Sequence, residues 1–395
     1  MNKINKIALF GLGSINWIGG VQYITNIIFA LDSIHDEHPL EIHLIKTERQ
    51  KFTELAKIKN TKIIVHEYED FFPPWTLFNR GVWFLQRKLM KRVSPRVENT
   101  FINQNFDFVF PQPLSDCNGQ CNSAAWIADF QYHFYPDWAS ADFTNAAYHE
   151  VSFIANHAHK VVLSSRAIEK DCHDIFPVTK DRSFAVPFAV HIDADELKFA
   201  DFGEIIDKYK IPREFMMVSN SFCPTKNHKT IFQAMQLLNK QGIKVNLVCT
   251  GNIVDQRNLH FANEILQMLT EYQVRDQVYL VGIIPRSDQI SMYRMAKAVI
   301  QPSLNEGWST SVEEAKCLGK ELIASAIPVH QEQCSNSENL FRPLDARDLA
   351  DKMGAIWKKT SGKTFPDIQE EKSAFDQYQQ LVREFGRQFL KMAES

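Results

Sequence analysis

Short apolar runs alternate with longer amphipathic stretches along most of the chain, a pattern of strands feeding helices. Ile7 to Phe10 is an apolar run short enough for a buried strand, the turn Gly11-Leu12-Gly13 follows, and Val21 to Leu31 repeats apolar positions at helical spacing. Further strands are predicted at Glu41 to Ile45, Lys62 to His66, Phe108 to Phe110, Ala124 to Ile127 and Lys160 to Ser164. Phe184 to Val190 reads as an apolar crossover. After a helical Asp201 to Tyr209 the alternation resumes, with strands at Glu214 to Val218, Lys244 to Cys249, Gln277 to Val281, Ala298 to Ile300 and Glu321 to Ala324. The expected fold is α/β, with doubly wound domains at 1–190 and 191–370. Glu371 to Lys391 carries Phe375, Tyr378, Leu381, Val382, Phe385 and Phe389 mostly on one side, so 371–395 is expected as a helix packing back on the first domain. Two such domains facing one another leave a cleft at their strand ends, the default ligand site of these sheets.

Length and charge agree with this picture and narrow the function. The 395 residues give room for two domains, and 45 % hydrophobic and 23 % charged residues with a net charge of -3 exclude a disordered chain or a strongly basic nucleic-acid binder. Seven cysteines, an odd number without a CxxC pair, read as free thiols of a reducing compartment, and Cys117 with Cys121 is too isolated for a zinc site. The N-terminal apolar run is too short for a signal peptide and no stretch approaches eighteen apolar residues, so a cytoplasmic protein is expected.

One segment stands apart from that balance. Phe71-Phe72-Pro73-Pro74-Trp75 and Trp83-Phe84-Leu85 are interleaved with Arg80, Arg87, Lys88, Lys91, Arg92 and Arg96, with no acidic residue between Phe71 and Val97. It reads either as a face for an anionic membrane surface or as an ordinary helix with an aromatic core side and a solvated basic side.

The chemistry concentrates in Pro302-Ser303-Leu304-Asn305-Glu306-Gly307-Trp308-Ser309-Thr310-Ser311-Val312-Glu313-Glu314. The run leads from a strand into a helix, with Glu306 in the loop and Glu314 in the first helical turns. Thr310 and Glu313 have the spacing of a capping box, and Gly319 ends the helix. A helix start offers backbone N–H groups and a positive dipole end, so a ligand phosphate is expected over Trp308 to Ser311. The first turn is no dinucleotide fingerprint: Asn16 stands where the third glycine belongs, and Gly19-Gly20 sits on a lengthened loop suited to a lid.

With these features assembled, the chain resembles glycosyltransferase family 4, the retaining nucleotide-sugar enzymes of GT-B fold. The likeness rests on the Glu306 to Glu314 motif, on Asn220-Ser221-Phe222-Cys223-Pro224-Thr225-Lys226-Asn227-His228-Lys229, on Val281 to Arg286, on Ser325 to Gln333 and on the glycine loop Trp17 to Tyr23. The resemblance implies that Glu314 accepts the donor's ribose hydroxyls, that Glu306 lies beside the transferred sugar and that Lys226 meets the diphosphate. Asn220, Ser221, Gly19, Gly20, Gly307, Trp308, Ser309, Thr310, Ser311 and Arg286 fall among the donor-binding positions. Arg286 equally suits a surface arginine at a helix start, and His228 either packs its helix or reaches phosphate. Many relatives carry a basic residue where this chain has Ser221, which shifts diphosphate neutralisation onto Lys226 and backbone amides.

Trp126 to Asp137 resembles the loop that closes around sugar and acceptor. Asp129, Gln131 and Tyr132 are then acceptor-side residues, and either His133 or Tyr132 takes the contact made in relatives by the histidine directly after the glutamine. The resemblance implies transfer without a metal, so neither metal nor other cofactor is expected.

The implied activity is transfer of a hexosyl or deoxyhexosyl unit, first of all mannose from GDP-mannose, to a surface glycan or lipid-linked acceptor at the cytoplasmic face of the inner membrane. A soluble disaccharide or polysaccharide synthase, a non-catalytic nucleotide-sugar-binding scaffold and an epimerase of the same fold are the other readings. Expected partners are the nucleotide-sugar donor, the glycan or lipid-linked acceptor and an anionic membrane surface through 71–96, with no nucleic acid.

Overall fold

Eleven of the apolar runs read as strands form strands, and two further short ones complete the sheets. The computed structural model describes residues 3–13, 18–71, 104–112, 121–197, 201–255, 257–258, 260–334 and 336–395. By contacts the chain divides into two units: Met1–Ala128, His149–His191 and Gln380–Ser395 make unit 1, and Asp129–Tyr148 and Ile192–Gln379 make unit 2.

Unit 1 is built on parallel strands β1 (Lys6–Phe10), β2 (Glu41–Lys46), β3 (Lys62–Glu67), β4 (Phe108–Phe110), β5 (Ala124–Ile127), β6 (Lys160–Leu163) and β7 (Ser183–Ala185). Their order is β3-β2-β1-β4 in one ladder and β5-β6-β7 in another. The two ladders are stitched where the Val109 N–H donates to the Asn122 carbonyl at 2.9 Å and the Gln112 N–H to the Ala124 carbonyl at 2.7 Å. Ile7, Ala8 and Leu9 are fully buried, as a parallel strand covered on both faces requires.

Helix α1 (Ile18–Ser33) buries Tyr23, Ile24, Ile27, Ile28 and Leu31. Gly19 and Gly20 lie in its first turn, not on the loop expected from the sequence. The physical reason is close packing: a Cβ on Gly20 would stand 2.7 Å from the Gly13 nitrogen, so the glycine lets the helix settle on the turn after β1. Residues 14–17 of the proposed lid lie outside the described residues, as do 72–96 of the basic aromatic segment and Cys117. Phe184, expected in a crossover, pairs with Val162 in β7; three half-buried residues carry too little periodicity to announce a strand.

Unit 2 repeats the theme with β8 (Met216–Ser219), β9 (Leu247–Thr250), β10 (Val278–Gly282), β11 (Val299–Gln301), β12 (Leu322–Ser325) and the two-residue β13 (Leu340–Phe341). All pairs are parallel, in the order β10-β9-β8-β11-β12-β13. From β8 the chain winds outward to β9 and β10, then returns to β11 on the other side. The β8/β11 boundary is therefore a topological switch point, and ligands of open α/β sheets bind outside the carboxyl ends at such boundaries. Helices α2 (His228–Lys240), α3 (Arg286–Met295), α4 (Thr310–Cys317) and α5 (Pro328–Gln333) follow strands of this sheet.

Helix α6 (Ile368–Glu394) is shared in sequence by both units. In unit 2 its Glu371 forms a buried bidentate pair with Arg294, at 2.7 and 3.0 Å. In unit 1 its Phe389 ring stands edge-on to Phe110 at 5.2 Å and to Phe108 at 6.0 Å. Among the described residues no helix is long and apolar enough to cross a membrane.

Candidate functional site

Two loops meet at the carboxyl ends of β8 and β11, and each is pinned to the other through its backbone. The Leu304 N–H donates to the Thr225 carbonyl at 2.8 Å, and Asn227 Nδ2 donates to the Pro302 carbonyl at 3.1 Å. Asn227 adopts φ 51°, a left-handed conformation that asparagine tolerates better than most residues, and its Oδ1 also accepts from Thr230 at 2.8 Å. This turn delivers Lys226 to the β11 side.

There the Lys226 ammonium pairs with Glu306 Oε1. Gln301, the last residue of β11, donates from Nε2 to the same carboxylate oxygen at 3.0 Å and to Ser309 Oγ at 2.6 Å, while its Oε1 accepts from Asn220 Nδ2. Burial works against the charge on Lys226, but Glu306 and, more weakly, Asp129 outweigh it and hold the ammonium above the usual lysine range. Burial pushes the Asp129 carboxyl up, opposed by the Gln131 N–H at 3.0 Å and by Lys226. Gln131 Oε1 accepts from Thr225 at 3.4 Å, so the 129–131 turn lies beside the lysine.

The second carboxylate has its own cation. Glu314, on α4 and 3 % exposed, accepts from Arg286, the first residue of α3; the same guanidinium nitrogen donates to Gln289 Oε1 at 2.9 Å. Gln289 continues to Ser219 Oγ at 2.7 Å, and Ser311 Oγ donates to the Ser219 carbonyl at 2.7 Å. Lys226–Glu306 and Arg286–Glu314 thus form two ion pairs in the segments that follow β8, β10 and β11.

Several expectations are corrected here. Ser309, not Thr310, is the N-cap of α4, and no side chain caps it. Glu313 makes no capping box: its carboxylate accepts from Gln333 Nε2 at 3.0 Å, from Lys316 at 3.0 Å and from the Tyr378 hydroxyl at 2.6 Å. The Ser309 N–H, expected at a phosphate, donates to Gln333 Oε1 at 3.0 Å. A fully buried N–H takes whatever acceptor is nearest, and α5 supplies one.

Of the other predicted residues, Gly307 is buried, Trp308 and Thr310 are half-buried and Ser221 is exposed. Tyr132 is buried against Phe130 and Tyr148, whereas His133 is exposed, its ring edge-on to Phe134. Gly19 and Gly20 belong to unit 1. His228 is fully buried and stacked on Phe222 at 4.1 Å, the packing alternative, with its pKa pushed down to about 3 by burial.

Gln301, Gln333, Ser325 and His330 organise the site and were given no role in advance. The signal for Gln301 is a polar residue closing the apolar Val299-Ile300 run at a sheet's carboxyl edge. His330 Nδ1 lies 2.9 Å from the Ser325 carbonyl, which can only accept, so that nitrogen carries the proton. Ser325 Oγ in turn donates to the Ser303 carbonyl. Burial lowers the His330 pKa to about 4. Among the described residues no group of three or more His, Cys, Asp or Glu side chains could hold a metal ion.

Comparison with known proteins places this architecture among relatives. Residues 201–370 match the family described as glycosyl transferases group 1. The chain is similar to the serotype-specific mannosyltransferase WbdA of Escherichia coli, with 24 % identity over 198 residues, 49 % of this chain and 24 % of WbdA. It is also similar to the O-antigen chain mannosyltransferase RfbU of Salmonella typhimurium, with 20 % identity over 57 % of this chain and 58 % of RfbU. The chain therefore spans less than two thirds of either relative. Among solved structures, Anabaena Alr3699/HepE in complex with UDP and glucose superposes with a TM-score of 0.66 at 14 % identity, covering 99 % of this chain and 100 % of HepE. That likeness establishes the fold, two Rossmann-like α/β domains of the GT-B type.

Proposed function

We propose that the protein is a glycosyltransferase that moves a hexosyl or deoxyhexosyl unit from a nucleoside diphosphate sugar to an acceptor hydroxyl with retention of configuration. The observation that carries this reading is the presence of two ion pairs, Lys226–Glu306 and Arg286–Glu314, in the segments that follow the strands of unit 2, within the stretch that matches group 1 glycosyl transferases.

The chemistry follows from charge. Breaking the sugar–phosphate bond puts negative charge on the leaving nucleoside diphosphate, and Lys226, with further N–H groups beyond the one directed at Glu306, is suited to receive it. Glu306 offsets positive charge developing at the anomeric carbon and accepts from sugar hydroxyls. Glu314, on a rigid helix, suits bidentate acceptance from the ribose, with Arg286 orienting it. The acceptor hydroxyl attacks the anomeric carbon from the leaving-group face, and its proton passes to the departing phosphate oxygen. Asp129, Gln131 and Tyr132 are assigned to the acceptor side. Leaving-group charge is assigned to Lys226, so turnover is expected to persist in chelator.

Mannose from GDP-mannose is the first donor to test, since WbdA and RfbU are mannosyltransferases, and a surface glycan or lipid-linked acceptor is the matching product class. Thermal melts against GDP, UDP, ADP and dTDP, each with and without Mg²⁺, test the reading, because a ligand that binds only the folded state raises apparent stability. A selective shift with one nucleotide, followed by release of that nucleotide from its sugar conjugate, is the expected result. No shift with any of the four, and no turnover, overturns it.

A further inference from the structure

We infer that Tyr378, Glu313 and Gln333 are positioning residues that fix the Glu306 loop in its working geometry; the inference rests on the transferase reading of that loop. The bonds form one continuous chain. The Tyr378 hydroxyl donates to Glu313 Oε2 at 2.6 Å, and Glu313 Oε1 accepts from Gln333 Nε2 at 3.0 Å. That same Nε2 donates to the Ser309 carbonyl at 3.0 Å, while Gln333 Oε1 accepts the Ser309 N–H at 3.0 Å. Ser309 Oγ accepts from Gln301, and Gln301 holds Glu306, the partner of Lys226.

Two features give this chain a direction. Both Nε2 hydrogens and the Oε1 of Gln333 are engaged, so turning its amide over would break three bonds at once, and Glu313 is what selects the orientation that grips Ser309. Second, Glu313 is 2 % exposed, and a buried carboxylate is costly unless every oxygen is satisfied. An apolar residue would serve the core of α4 equally well, so the charge is explained by what it holds: Gln333 at Oε1, Tyr378 at Oε2 and Lys316 across both oxygens. Tyr378 is itself 2 % exposed, and its hydroxyl brings α6 into this chain of bonds. The consequence is that a residue far along the sequence sets the backbone three positions from Glu306.

The test is Tyr378→Phe in the full chain, which keeps the ring and removes one bond. Two readouts are taken: hydrogen exchange of the peptide spanning 302–313 and steady-state kinetics on the nucleotide-sugar donor. The expected result is exchange about tenfold faster in that peptide with the rest of unit 2 unchanged, and a donor KM raised about tenfold with kcat within about twofold. Glu313→Gln, which keeps a carbonyl oxygen for Gln333 and turns an NH2 toward the Tyr378 hydroxyl, itself able to accept, is expected to stay much closer to wild type than Glu313→Leu in both readouts. If Tyr378→Phe fails to fold, Gln333→Met supplies the same comparison. Unchanged exchange overturns the inference, and so does faster exchange with an unchanged donor KM. Wild-type protein that turns over no nucleotide sugar overturns the transferase reading instead, while the exchange comparison still decides whether Tyr378 holds the loop.

Discussion

Lys226 and Glu306 form an ion pair in which each charge is largely withdrawn from water, with side-chain exposures of 22 % and 10 %. Removing one partner of such a pair strands the other, whereas removing both charges together is tolerated. Lys226→Met is therefore expected to lower both stability and donor turnover, the latter by orders of magnitude. Adding Glu306→Gln to it should recover most of the stability and none of the turnover, measured by urea unfolding beside a nucleotide-release assay. Glu314→Gln is expected to weaken nucleoside diphosphate binding by about 1.5–3 kcal/mol in calorimetric titration, the range of a hydrogen bond to a charged group.

The two buried histidines act on stability in the opposite pH range from the lysine. His228 and His330 are neutral in the folded chain, with pKa values of about 3 and about 4, against 6.5 when exposed. Between those values the unfolded chain binds more protons, so the stability they allow is complete above pH 6.5 and is lost as pH falls toward 4. Neither ring nitrogen of His228 has a hydrogen-bond partner among the described residues. His228→Phe should keep the stack on Phe222, raise the melting temperature at pH 5 and flatten the acid limb of the stability profile. A limb as steep as that of the wild type would show that other groups govern it.

The loop between β11 and α4 was legible because everything that announces it is local: an apolar strand end, a proline, a glycine beside a carboxylate, then helical spacing. What was not legible is which atoms satisfy it. Glu313 has the spacing of a cap, but its partners Gln333 and Tyr378 lie 20 and 65 positions away, beyond any pattern of period 3.6. The same holds for Gln301, whose bond to Asn220 crosses 81 positions. Strands β7 and β13 escaped for a different reason, since three and two residues are too few to show alternation. Glycine marks one more place where the element depends on a close approach. Gly251, after β9, has φ +119°, and a Cβ there would collide with the backbone of Asn220 and approach the Ser221 nitrogen to 3.0 Å. Gly251→Ala should destabilise unit 2 by about 2 kcal/mol or more through backbone strain and weaken nucleotide binding with it, because the displaced residues begin the Lys226 loop. Unaltered binding in the variant would separate β9 from the site.

Both units have the doubly wound pattern, and the fold as a whole was readable from alternation alone because parallel strands buried on both faces give compact apolar runs. The C-terminal helix enters both cores from one continuous segment. Its Gly386 comes so close to the Ala30 carbonyl that any side chain would collide, and Lys160 donates to the Ala393 carbonyl at 3.0 Å and to the Met392 carbonyl at 3.2 Å. Phe389→Ala is expected to cost unit 1 about 3–5 kcal/mol, the usual range for emptying a buried aromatic site. Calorimetry should show this as a lowered transition for unit 1, and an unshifted scan would mean that α6 adds little there.

That helix also governs the order in which the chain can be completed during synthesis. Strands β1 to β7 leave the ribosome early, yet the faces of Phe108 and Phe110 that receive Phe389 have no occupant until residues 380–395 have been added. At the usual ~5–20 residues per second, translating residues 192–379 takes about 10–40 s. Through that interval the nascent first unit exposes an aromatic seat, a natural target for chaperones that shield apolar surface. Of the two units, the one whose strands are made first is completed after the other.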